Sequence, residues 1–163
     1  DQATDTFGPE MQLIADGANN YYPSWSPDGN WILFNRAPAG GDAYNNANAS
    51  LWVIKADGSG PAMELVAADQ GAGLTNSWGR WAPFQQTLGA NSEPMFWVTV
   101  SSKRNFGVRL VNANRPQIWM TPFFPNQAAS SIDPSTVPFR LPFQNIDSNN
   151  HIAQWTEQVI APQ

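Results

Sequence analysis

His151 is the only histidine in this 163-residue sequence, and so the only side chain suited to act as the base of a serine triad. No Gly-x-Ser-x-Gly elbow accompanies it. Ser59 lies in Asp57-Gly58-Ser59-Gly60, which reads as a turn between strands rather than a nucleophile site. A zinc set needs His and Cys, and the chain has no Cys and no His-Glu-x-x-His. Asp28 and Asp57 fall in turns, while Glu64, Glu93 and Glu157 are scattered, so nothing selects a glycosidase pair. Gly71-Ala72-Gly73 opens no helix that could receive a phosphate. The residues read as a non-catalytic protein.

Binding chemistry has three candidates. The polar run from 35 to 50 carries Asp42, Asn45, Asn46 and Asn48 at short spacing. Such oxygens suit calcium, though calcium favours several carboxylates, and an ordinary Asx-rich turn uses the same residues. Lys103, Arg104, Arg109 and Arg115 place four of the eight basic residues within 13 positions. They form either a docking patch for an acidic partner or an internal salt-bridge set. Trp78 stands just ahead of a strand and is expected to be the most exposed tryptophan, available to a partner or a stacked ligand.

The elements that must position these residues are strands. Tyr21 to Phe34 reads as a hairpin: aromatic residues through Trp25, then Pro27-Asp28-Gly29, then Trp31-Ile32-Leu33-Phe34. Pro27 presets φ for a turn, and Gly29 tolerates positive φ. Leu51 to Ile54, the Asp57 to Gly60 turn and Met63 to Val66 supply a second pair. Four antiparallel strands in this span match the size of one propeller blade. Further on, Trp81-Ala82-Pro83 parallels Trp25-Ser26-Pro27, with a polar insertion from Gln85 to Glu93 in place of the Asp-Gly turn. Met95 to Val100 and Gln117 to Thr121 are its second and third strands. Residues 126–150, rich in Pro, read as an extended loop without an alignable strand.

The run PSWSPDGNWILF followed by LWVIKADGSG resembles the WD-like β-propeller repeat of TolB-type proteins, closely over residues 21–66. The resemblance implies an all-β fold of four-stranded blades. One blade covers about 21–68 and a second about 75–125, and 126–163 forms a loop and the start of a further blade. Met11 to Ile14 is expected as the outer strand of a preceding blade. The segment from His151 to Glu157 is expected as a third inner strand, with Trp155 in the place of Trp25 or Trp81, and Gln158 to Ile160 as a strand after it. Trp25, Trp31, Trp52, Trp81, Trp97, Trp119 and Trp155 are expected in inter-blade core, with Trp25 equivalent to Trp81 and Trp52 to Trp119. The two end faces would then be open. The resemblance further implies an exported bacterial protein, periplasmic or extracellular, serving protein–protein contact or a structural assembly. The missing blades would come from another chain or a larger assembly. The alternative is the propeller part of a hydrolase or carbohydrate-active enzyme whose catalytic residues lie elsewhere.

Bulk composition agrees with a packed β protein. Charged residues are 13% and hydrophobic residues 42%, and 14 Pro with 12 Gly interrupt any long helix. The net charge of −5 disfavours a nucleic-acid partner. No run of 18 apolar residues is present, so no segment reads as a membrane span. The sequence begins at Asp1 without Met or a signal-peptide core, which is expected of a processed chain or a fragment.

Overall fold

A computed structural model describes residues 7–71, 74–111 and 114–156. The protein is all-β, built of two antiparallel sheets. The first comprises β1 (Asn19–Trp25), β2 (Trp31–Ala37), β3 (Ser50–Lys55) and β4 (Met63–Glu64), paired in chain order. The second comprises β5 (Ser77–Trp81), β7 (Glu93–Ser102), β8 (Gln117–Phe123) and β9 (Phe139–Arg140). A short β6 (Gln86–Leu88) folds back on the start of β7. The single described helix, α1 (Pro125–Ala129), has five residues.

The first hairpin turns as its residues dictate. Gly29 takes φ 73°, and its N–H donates to the Ser26 carbonyl at 2.9 Å. Asp28 accepts from the Asn30 N–H and from the Ser26 hydroxyl, and the same hydroxyl accepts from the Trp31 N–H at 3.0 Å. The Asp57 turn repeats the device, its carboxylate accepting from the Ser59 N–H at 2.8 Å.

Alternation along the strands gives each sheet two faces. Trp31, Leu33, Leu51 and Val53 of the first sheet meet Trp81, Phe96, Val98, Val100, Trp119 and Phe123 of the second in one core. Trp81 and Phe123 meet edge-on at 4.9 Å, a favoured aromatic geometry. Gly79 lets β5 lie close on the first sheet, because a Cβ there would stand 2.8 Å from Leu33 Cδ2.

Several expectations need correction. Met11 to Ile14 forms no strand. Leu13 and Ile14 instead pack over Ile32, Phe34 and Ile54, so part of the outer face of the first sheet is covered by its own chain. Trp25 is not core: it is 61% exposed, whereas Trp81 is 6% exposed. Both end the first strand of a sheet, and both point to its preceding side, opposite Ile32 and Val98 respectively. The second sheet has the first sheet on that side, and the first has, among the described residues, the short segment holding Leu13 and Ile14. Residues 126–150 are not only loop, for they hold β9, whose Arg140 and Phe139 pair with Trp119 and Met120. Two residues flanked by Pro138 and Pro142 leave no alternating pattern to read, and Pro is tolerated beside such an edge strand. The Gln85 to Glu93 insertion contains the β6 hairpin rather than plain loop. The expected strand from Gln158 to Ile160 lies outside the described residues.

Candidate functional site

Three places gather polar side chains. The first is a cleft of about 500 Å³ at the turn end of the two sheets. Asp28, Lys55, Asp57 and Asn126 stand around it, with Trp31 and Phe96 beneath. Hydrogen bonds from Ser59 hold the Asp57 carboxyl below its ordinary range, so it stays ionised there.

The second is a buried polar knot joining the two sheets. Asp69 accepts from the Leu51 N–H at 2.6 Å and from the Asn76 amide. Arg104 donates to the Ala68 carbonyl and, at 3.3 Å, to the Asn76 Oδ1. Asn35 donates to the Asn76 carbonyl at 3.0 Å. Burial pushes the Asp69 carboxyl up to about 7, with nearby Glu64 adding to it, against the Asn76 and Leu51 hydrogen bonds and Arg104. Burial likewise lowers the Arg104 guanidinium to about 10, opposed by Asp69. Donors and acceptors here serve backbone groups or one another, which makes this a structural joint. Sequence reading missed Asp69, Asn76 and Asn35. Nothing local marks them, because Asn35, Leu51 and Arg104 reach the Asp69–Asn76 pair from distant parts of the chain.

The third is the place where the two first strands, β1 and β5, meet. Each is interrupted by a bulge, between Tyr21 and Ser24 in β1 and between Ser77 and Arg80 in β5. The bulge residues Tyr22 and Trp78 both hold positive φ, 56° and 57°. Their rings stack at 4.0 Å, and Arg80 lies 5.8 Å from the Trp78 ring centroid. Trp78 is therefore half-buried in a stack, not the most exposed tryptophan; that is Trp25.

The same local geometry occurs once more. Ile152 holds φ 59°, three residues before Trp155, as Tyr22 precedes Trp25 and Trp78 precedes Trp81. Gly79 N–H approaches the Asn35 Oδ1 at 3.5 Å, and Ile152 N–H donates to the Ser101 hydroxyl at 3.1 Å. Asn35 and Ser101 occupy matching places, paired with Tyr21 and Ser77 respectively. The Trp155 indole donates to Thr99 Oγ1 at 3.1 Å, while its ring meets Phe84 edge-on. Residues 151–156 thus lie on the second sheet much as β5 lies on the first, without strand pairing.

The remaining sequence candidates separate. Asp42 accepts from the Tyr44 N–H, Asn46 Oδ1 from the Asn48 N–H, and the Asn46 amide donates to the Asp42 carbonyl. Those contacts are Asx turns; Asn45 supplies a positive φ of 51°. Among the described residues, no three His, Cys, Asp or Glu are grouped to hold a metal ion. Of the basic cluster, Arg104 is buried in the knot, whereas Arg109 and Arg115 are exposed and Lys103 is half-buried. His151 is exposed, its ring 5.9 Å from that of Tyr44. No described helix is long and apolar enough to cross a membrane. The chain matches no family model, no curated protein and no solved structure.

Proposed function

We propose that this chain is a non-catalytic segment of a TolB-like β-propeller, an exported module whose role is contact with a protein partner or assembly. The observation that carries the reading is the thrice-repeated inner segment, with Tyr22, Trp78 and Ile152 in left-handed backbone ahead of Trp25, Trp81 and Trp155. Two of these segments start four-stranded meanders, and the second and third lie against the sheet before them. Such head-to-tail stacking of sheets about an inner edge is how propeller blades associate.

The exposure of Trp25 supports the same reading. Its counterpart Trp81 is buried because a sheet precedes it, and Trp25 awaits an equivalent neighbour. That neighbour is a further blade, from a longer chain or from a partner. Light scattering on the eluting 163-residue chain, together with an apolar dye, tests this. Association or dye binding that falls in Trp25→Ser is the expected result. A monomer near 17.9 kDa at every concentration, binding no dye, would overturn it.

A further inference from the structure

The β7–β8 connection ends in a small hairpin that the propeller reading does not use. Phe106 and Leu110 are bridged by two backbone hydrogen bonds, Phe106 N–H to the Leu110 carbonyl at 2.9 Å and the reverse at 3.2 Å. Gly107, at φ 53°, makes the tight reversal. At the tip, Val108 is 94% exposed. Val111 follows at 60% and Phe106 at 46%. The base is anchored: the Phe106 ring stands edge-on to buried Trp119 at 6.2 Å, and the Arg140 guanidinium lies 5.5 Å from the Phe106 centroid.

The surroundings are cationic in an acidic protein. Lys103, Arg104, Arg109, Arg115 and Arg140 are five of the eight basic residues, and residues 103–118 contain no carboxylate. None of the five forms an ion pair among the described residues. Buried Arg104 and Arg140 add positive potential from below, where Asp69 is the acidic neighbour of Arg104. Beside Pro116, the loop holding exposed Asp147 contributes one negative charge. Charges farther than about 8 Å are largely screened at physiological salt, so the net charge of the whole protein does not cancel this local field.

We propose that the hairpin Phe106–Leu110 is a docking tip for anionic phospholipid bilayers. Val108 and Val111 enter the headgroup–acyl boundary while Arg109, Arg115 and Lys103 bind the phosphate groups. An exposed apolar apex on a stretch that also carries exposed cations is the chemistry of interfacial binding, which scales with buried apolar area and anionic lipid content. A protein partner fits less well. A stable protein interface takes roughly 800 Å² from each side, more than a five-residue tip presents. Its small aliphatic apex also differs from the Trp, Tyr and Arg anchors that dominate such interfaces.

Sedimentation of the full chain with vesicles tests the proposal. Vesicles with about 30% phosphatidylglycerol should bind it, and pure phosphatidylcholine vesicles at least about tenfold less. Raising salt to about 0.5 M should release it. Val108→Asp should weaken binding about tenfold and Arg109→Gln about fivefold, both at an unchanged melting temperature, since both positions are exposed. Failure to bind phosphatidylglycerol vesicles overturns the proposal, as does binding that neither variant weakens. Capture of soluble polyglutamate without vesicle binding overturns it in favour of an acidic protein partner. None of these outcomes bears on the blade arrangement.

Discussion

Tyr22 and Trp78 stack face to face across the two sheets, 4.0 Å between centroids and 17° from parallel, each at the bulge of a first strand. Left-handed backbone costs an L-residue on the order of 1–2 kcal/mol, so two bulky aromatics in that state need a compensating contact. The stack is that contact. A double-mutant cycle of Tyr22→Ala and Trp78→Ala, followed by urea denaturation, should give a coupling of about 0.5–1.5 kcal/mol. A coupling of zero would mean that the bulges hold their shape independently.

Trp25 and Trp81 should respond in opposite ways despite their matching places. Trp81→Ala removes a buried ring and a hydrogen bond from its indole to the Ser24 carbonyl at 2.9 Å. It should cost about 3–5 kcal/mol. Trp25→Ala, at 61% exposure, should cost under about 1 kcal/mol. The two denaturation midpoints, measured on the same chain, check the contrast.

Gly79 should not accept even a methyl group. Its φ is not left-handed, so backbone freedom is not the reason. The added Cβ would meet Leu33 Cδ2 at 2.8 Å and Leu51 Cδ2 at 3.2 Å, both on fully buried side chains with little room to move. Gly79→Ala should destabilise by roughly 1–3 kcal/mol through overpacking. Gly89→Ala also adds one methyl group, but in open space at φ 69°. Its smaller loss would come from backbone strain alone.

Asp69 predicts the direction of a pH effect. Its carboxyl is raised from 3.8 to about 7 in the fold, chiefly by burial. The folded state therefore holds the proton more tightly than the unfolded one. The Asp69 contribution is most favourable below about pH 4 and is lost as pH rises through about 7. At about 1.36 kcal/mol per unit, the change is on the order of 4 kcal/mol. Other carboxylates titrate in the same range, so the informative quantity is the difference from Asp69→Asn. The stability of wild type relative to that variant should fall between pH 4 and 8 in chemical denaturation. A constant difference would place the Asp69 pKa at its ordinary value.

Much of the all-β character was legible in the residues. Pro27-Asp28-Gly29 and Asp57-Gly58-Ser59-Gly60 specify their turns through contacts within a few residues, so their geometry travels with the sequence. The alternation in β2, β3, β7 and β8 is also local, because successive side chains must take opposite faces. The parallel between Trp25 and Trp81 was visible as well, being a matter of order along the chain. What neighbours do to such positions was not. Burial of Trp81 and exposure of Trp25 depend on whether a sheet precedes each. The half-buried stack of Trp78 depends on Tyr22, 56 positions away. Leu13 and Ile14 look like a strand by composition, yet a strand needs a pairing edge, and they found an apolar face instead. The two-residue β9 carries no periodic signal, and only pairing with Trp119 and Met120 makes it a strand. Arg104 reads as a surface cation beside Lys103. It is the Asp69–Asn76 knot, assembled from four separate stretches of chain, that draws it inside.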